Sequence, residues 1–549
     1  MSHLSKVFNQ VPVKVPDRSG FDMSHENLFS AKIGTLIPAS VEEVMPGDII
    51  NVGTAFSVEL PPLATNFKGR VDARMEAFFV PNRILWAGWQ DFITNSPVTS
   101  SNNSNVTGGA GVAVPGFSKA TSIPKVTLSQ LQTGAGSLAD YLGVKGVGSA
   151  EVSGDFNALP FLAYQKIWDD WYRDSNVQQP FFIDGFDNTV ESSGVAGSVA
   201  GCPFMRKSTT FNGGANYGTG NSTMGYNGRR VYELAQRNFA KDYFTTMTTQ
   251  PQAGGNASLE FSIDTQGETG SFSIAGLRVA NSLQKWLEKN NIAGTRYYDQ
   301  ILAHYGVLPP DANVQRAILL GSATAPVIVN SIAQNSQSTT GNTQYTKNPY
   351  SQSTGAMFGK GNAFGENRLI DHFEVKEHGY IIILFSLVPH AYYSTGSRKY
   401  LTQRGASDTF AFPEFANIGD QPVMKSELYT PVFGSASDTT IGYVQRYAEY
   451  KYHDDEVHGL LSDGQSLSSF VLQRGFDSGA SISNSLLQIP TNYMDNVMVT
   501  TAGVSGFNAI VDAYFNSKFL RVLPEYSLPS LGEVEKGHTI EVPKGGRRL

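Results

Sequence analysis

A single cysteine, Cys202, stands in 549 residues, which excludes an intrachain disulfide framework and leaves packing and hydrogen bonding to hold the chain together. Charge is also scarce. Asp, Glu, Lys and Arg make up 16% of the residues, against about 25% in a typical soluble domain. The N-terminal MSHLSKVFNQVPVKVPDRSG has no apolar core of the kind a signal peptide needs. The run Tyr380–Val388, apolar except for Ser386, stops well short of the about 20 residues a membrane span requires. The chain is therefore expected to be made and folded in a cytoplasm, where sequons such as Asn105-Val106-Thr107 carry no glycan. A formal charge of −7 argues against an autonomous nucleic-acid binder.

Glycine and aromatics are what the chain has in abundance: Gly 55, Phe 33, Tyr 24 and Trp 5. A large chain poor in charge and rich in aromatics has little surface suited to bulk water, and protein interfaces carry that bias. A secreted all-β protein with a Ser/Thr/Asn surface would share the composition.

The stretch His378–Pro389 (HGYIIILFSLVP) is the centre of the pattern. Its β-branched Ile381, Ile382 and Ile383, opened by Gly379 and stopped by Pro389, predict a strand buried on both faces. Such a strand needs layers above and below it, as in a sandwich or packed barrel. Other strands are expected at Phe56–Leu60, at Val71–Val80 ending on Pro81, at Ile441–Tyr452, and at Val511–Phe515 and Phe519–Leu523.

Helical spacing marks Asn82–Asn95, Leu159–Asp174 with Phe161, Tyr164, Ile167, Trp168 and Trp171 on one face, and Leu277–Lys289. A further helix has Thr295 as N-cap, Tyr298, Ile301, Leu302 and Tyr305 inward, and Gly306 as its stop. Residues 1–30 read as an N-terminal arm and 531–549 as a C-terminal basic tail. Between them, 31–530 reads as one β sandwich with insertions at about 96–153, 178–228 and 331–367. There is no internal repeat.

Chemistry-bearing clusters are few. His453, Asp454, Asp455 and His458 form the densest set of metal-type side chains, although such a cluster after a strand is more often a solvated turn. His372, Glu374, Lys376 and His378 alternate as the wet side of a strand end would. Asp169 and Asp170 are neighbours on a helix and point apart. They read as outward charges or local caps rather than the pair about 5–10 Å apart that glycoside cleavage needs. The glycine-rich 355–361 and 143–148 lack the spacing of a phosphate loop, and no nucleophile elbow appears. No catalytic residue, cofactor or enzyme activity is expected. The basic end Lys544, Arg547 and Arg548, with Lys6 and Lys14 in the other terminus, supplies candidates for phosphate contact.

Several separated blocks, taken together, carry a family resemblance. They include Leu36-Ile37-Pro38 with Glu42–Asp48, Phe78–Arg83 with Trp86 and Trp89, and Tyr164–Trp168 through Trp171–Asp174. Further on stand Arg237-Asn238 with Lys241–Thr245, Gly294–Tyr297 with Ala303–Val307, Pro310–Ala312 with Gln315-Arg316, Glu377–Tyr380 and Tyr447–Tyr452. In this order they span about 20–530, and the chain resembles the major capsid proteins of microviruses, specifically the gokushovirus branch of small icosahedral single-stranded DNA bacteriophages.

The resemblance implies an eight-stranded antiparallel jelly roll with long loop insertions and a few short helices. About sixty copies would close a T=1 shell around a circular single-stranded DNA genome in the host bacterial cytoplasm. It also implies a small basic DNA-packaging peptide, scaffolding and minor pilot proteins as partners, and one insertion that builds surface protrusions. These would meet a host receptor, with a glycan as one candidate. Location in the virion follows. The competing reading is a carbohydrate-binding or carbohydrate-cleaving jelly-roll protein, suggested by the Trp/Tyr and Gly-rich loops.

Overall fold

The structure is a computed structural model that describes residues 10–61, 63, 65–86, 89–93, 123, 125–128, 134–145, 154–178, 231–251, 274–293, 296–333, 357–405, 409–417, 419–495, 497–498, 507–525 and 537–543. Numbered along the chain, the first strands are β1 (Gln10–Pro16), β2 (Ser19–Asp22), β3 (His25–Ala31), β4 (Ile37–Val44), β5 (Ile49–Glu59), β6 (Val71–Pro81), β7 (Lys125–Leu128) and β8 (Gly154–Asn157). The second half supplies β9 (Ile318–Pro326), β10 (Ile328–Ala333), β11 (Met357–Glu374), β12 (Gly379–Pro389), β13 (Asp420–Met424), β14 (Thr440–Gln445), β15 (Ala509–Arg521) and β16 (Gly537–Pro543). Three helices of nine residues or more are described: α1 (Leu159–Ile167), α2 (Ile274–Ala293) and α3 (Tyr297–Tyr305). The chain is mainly β, its sheets antiparallel.

Two sheets dominate. The larger runs β10–β11–β5–β15–β2, with β3 pairing the other end of β15, and the smaller runs β4–β12–β6–β9. Strict alternation writes one face of the larger sheet. In β5, Ile50, Val52, Phe56 and Val58 point to the core between partly open neighbours, and in β15 Val511, Ala513, Phe515 and Phe519 do the same. Opposite them lie Ala73, Met75, Ala77 and Phe79 of β6 and Ile381, Ile383, Phe385 and Leu387 of β12. Phe385 makes edge-to-face contacts with Phe29 at 5.5 Å and Phe56 at 6.4 Å, so one ring joins the two sheets.

Every residue of β12 is buried, as its composition predicts. Its other face, Tyr380, Ile382 and Leu384, packs with Phe78, Val80 and the buried side of α1 into a second core. After α1 the helix widens into a π-helical stretch, Trp168–Tyr172. Its side chains also serve an irregular segment. The Tyr164 hydroxyl donates to the Leu36 carbonyl and accepts from the Ala235 amide, both at 2.7 Å, while the Gln165 amide donates to the Val231 and Glu233 carbonyls. Backbone groups without a ladder partner are thus satisfied.

Ser386 breaks the apolar run for a reason visible only in three dimensions. It accepts a hydrogen bond from Arg237 at 3.0 Å, and Arg237 is ion-paired with Glu76 at 2.5 Å while the Tyr172 hydroxyl donates to the same carboxylate. The guanidinium and Tyr172 offset the burial of Glu76, whose carboxyl stays ionised below its usual range. Two glycines are required by close approach. Gly34 has φ +70° and lies where a Cβ would come within 2.6 Å of Ile489, and a Cβ on Gly321 would collide with the Leu369 carbonyl.

Several expectations are corrected. Residues 10–31 are not a free arm: β1 pairs with β16, and β2 and β3 pair with β15. The basic tail likewise contributes β16, and the third insertion is shortened because 331–333 and 357–367 belong to paired strands. In β1 the alternating Val11, Val13 and Val15 are interrupted by Pro12 and Pro16, which read as chain breakers, while β2 and β11 carry polar residues and glycine with little contrast. The two closing strands are one, β15, whose alternation continues through Asn516 and Lys518 on the open face. The strand expected to reach Tyr452 ends at Gln445, because Tyr447 adopts φ +60° and turns the chain into a short 3-10 helix. Leu302 and Tyr305 stand open to solvent, not inward. The N-cap of α3 is Arg296, Thr295 lying outside the described residues, while Gly306 closes the helix at φ +68° as expected.

The double burial of β12 sets a measurable cost. Phe385→Ala is expected to destabilise the fold by about 3–5 kcal/mol in urea unfolding. A loss below about 1 kcal/mol would show that the two sheets do not depend on this ring.

Candidate functional site

Beside the sandwich, Tyr243, Phe244, Met247, Tyr393, Val423, Leu428, Ile441 and Val444 form a third core. Against it opens a cleft of about 900 Å³, bordered by the segments 393–404 and 449–458. Its floor is Glu427, which accepts from the Tyr243 hydroxyl at 2.9 Å, from the Gln403 amide at 2.9 Å and from the Met424 backbone N–H at 2.9 Å. Burial raises the Glu427 carboxyl and lowers the neighbouring Lys399 ammonium, whose Nζ lies 3.9 Å from it and donates to the Pro422 carbonyl. Arg404 pairs with Glu449 at 2.7 Å and Arg398 with Glu456 at 2.6 Å. The rim is aromatic, with Tyr400, Tyr450 and Tyr452 each about three-fifths exposed. Each of these cations faces a carboxylate, so the cleft offers ring faces and oriented polar groups rather than net charge.

Of the four candidate metal residues, His453, Asp454 and His458 line this cleft and Asp455 does not, and the four do not converge. His453 receives a hydrogen bond from Arg398 at 3.2 Å, His458 sits 3.2 Å from Glu456, and Asp455 is exposed. Asp454 alone turns inward, accepting from the Tyr243 backbone N–H at 3.3 Å. Burial, reinforced by the Asp242 carboxylate, pushes its carboxyl up to about 6. Among the described residues no three His, Cys, Asp or Glu side chains come together as a metal site requires.

Asp169 and Asp170 are not outward charges. Asp169 is buried against Arg173 at 2.6 Å, and Asp170 holds Lys166 at 3.0 Å and accepts from the Ala317 amide. Cys202, Lys6, Lys544, Arg547 and Arg548 lie outside the described residues. Lys14 lies in β1, whose pairing with β16 sets Gln10 opposite Pro543. Strands from near the two ends of the chain are thereby paired, which sequence separation conceals.

Arg398, Lys399, Arg404, Glu427 and Glu449 escape a reading of the sequence as one site because they are scattered over 52 positions, and only Glu449 falls in one of the ordered blocks. The one available signal is charge in an otherwise charge-poor chain.

The cleft thus presents paired charges and exposed rings, features of a contact surface. The chain belongs to the family described as capsid protein (F protein), whose model matches residues 9–531. It is similar to the capsid protein VP1 of Chlamydia phage 1, 26% identical over 96% of this chain and 98% of the relative. It is also similar to capsid protein VP1 of Bdellovibrio phage phiMH2K, 25% identical over 96% and 98%, and of Spiroplasma virus 4, 24% identical over 94% and 96%. The resemblance to gokushovirus-type capsid proteins is thus borne out, and the family is structural rather than enzymatic.

Asp454 makes stability pH-dependent. The folded chain holds its proton up to about pH 6, whereas an unperturbed carboxyl releases it near 3.8, so stability falls as pH rises through that window. Asp454→Asn, which keeps the acceptor for Tyr243, is expected to flatten this slope by about 1 kcal/mol, allowing for solvent screening of a half-buried group. An unchanged melting profile between pH 4 and 7 would show that Asp454 does not hold this proton.

Proposed function

We propose that this capsid protein self-assembles into a T=1 icosahedral shell of about sixty copies around a circular single-stranded DNA genome. The match over residues 9–531 carries the reading. The two facing antiparallel sheets suit an eight-stranded jelly roll elaborated by added strands, an architecture that presents loops for symmetric contacts. Low charge and exposed rings suit a surface destined for other copies. Its net charge of −7 leaves neutralisation of the genome to a separate small basic packaging peptide, with scaffolding and minor pilot proteins assisting assembly. Lys6, Lys14, Lys544, Arg547 and Arg548 are the proposed DNA contacts, on the basic character of the two terminal segments. One of the long insertions is proposed to build the surface protrusion that meets a host receptor, a glycan among the candidates. A stand-alone carbohydrate-binding protein is the weaker reading, since the family is one of capsid proteins.

Sedimentation velocity on the purified chain, with electron microscopy of the fast fraction, is expected to reveal closed particles near the mass of sixty copies. A chain that stays monomeric in every assembly condition, including co-expression with its phage partners, would overturn the shell. Neutralising Lys544, Arg547 and Arg548 to Gln should lower packaged DNA and reduce the salt dependence of DNA binding by about 0.7 in log–log slope per lost contact. Unchanged packaging would remove them as contacts.

A further inference from the structure

The helical pair α2–α3 presents an apolar face that stands exposed, with no cover from the described residues. On α2, Val279, Leu283 and Trp286 recur at i, i+4 and i+7 and are 67%, 45% and 49% exposed. On α3 no residue is buried, and Tyr297, Leu302 and Tyr305 are 73%, 40% and 79% exposed. The helices are held to each other and to the body. Trp286 stacks on His304 with ring centroids 6.1 Å apart, His304 lies 2.6 Å from the Asn290 side chain, and the face is thus preorganised. Arg296, at the head of α3, donates to the Asp169 and Arg173 carbonyls, and Arg316, just beyond it, lies 3.9 Å over the Trp171 ring and 4.8 Å over Tyr298.

We infer that this α2–α3 face is a contact surface between copies of the chain, its occupant a second copy. The inference rests on the shell reading and adds which surface makes the contact. The six side chains offer roughly 700 Å², more than the few hundred Å² a monomer usually leaves open and close to the about 800 Å² a specific interface takes from each partner. An amphipathic helix exposing its apolar stripe in the isolated chain buries that stripe on assembly. Lys285 and Lys289 beside the stripe, and Arg278 at its start, are exposed, forming a polar rim around an apolar centre that includes a Trp and two Tyr. The cations also disfavour a face-to-face contact between two identical α2 helices. The partner surface is therefore a different part of the neighbouring copy, a heterologous contact of the kind that closes rings.

The test is the double variant Val279→Glu with Leu283→Glu, purified beside the wild type. Both positions are exposed, so the melting temperature should stay unchanged while the concentration needed for particles rises at least tenfold or particles disappear. Particles built from a mixture of isotopically light and heavy chains supply a second readout. Lysine cross-linking at Lys285 and Lys289 should give mixed-label peptide pairs. Wild-type assembly matched by the variant, or cross-links confined to one chain or formed only to DNA or another protein, would overturn the assignment while leaving the shell reading intact. Failure of the wild type itself to assemble would instead overturn the shell reading and this inference together.

Discussion

The structure depends on one strand being dry on both faces. Because side chains alternate along β12, its odd positions from Ile381 to Leu387 close the space between the two sheets, and Tyr380, Ile382 and Leu384 close the space under α1. A two-layer sandwich would have left the second set in water. Here the helical layer is as much part of the fold as the sheets, and the smaller sheet lies in the middle of three layers.

That arrangement explains where polar groups are tolerated in the interior. Glu76, Arg237, Tyr172 and Ser386 meet at the buried end of the second core, each satisfied by another. Removing one partner would strand the others in a low-dielectric setting, so the group acts as a register mark. Arg296 and Arg316 play a similar part at the π-helical turn. They cap carbonyls of Asp169, Asp170 and Arg173 and bind the α3 region to the body of the protein.

Low charge and high aromatic content have two separate causes in the fold. Part of the aromatic content fills three cores. Among the described residues others stand open, on the outer face of the larger sheet at Tyr514 and Phe364, around the cleft, and along the α2–α3 face. In a free monomer such exposure would be a liability. In a capsid protein such exposure suits contact with other copies, and the paired charges of the cleft keep its surface close to neutral.

Much was legible in the sequence, for local reasons. The apolar run, interrupted only at Ser386, predicted β12 and its two covering layers, alternation predicted part of β5, the stretch ending at Pro81 predicted β6, and the spacing of Phe161, Tyr164, Ile167 and Trp168 predicted α1 with the correct buried side. The ordered blocks identified the family. These signals survive because each is carried by neighbours in the chain, where burial on a face imposes a period.

Tertiary structure alone decided the rest. Strands such as β1, β2, β10 and β16, short or interrupted by Pro and Gly, are specified by the partners they pair with, most of which lie far away in sequence. Asp169 and Asp170 look like surface charges until Arg173, Lys166 and the Ala317 amide are brought to them. An apolar stripe on a helix states only that it will be buried. For α1 the stripe is buried within the chain, and for α2 it is left open. Periodicity records that a face is apolar, and only the packing of the whole chain determines whether another element of that chain reaches it.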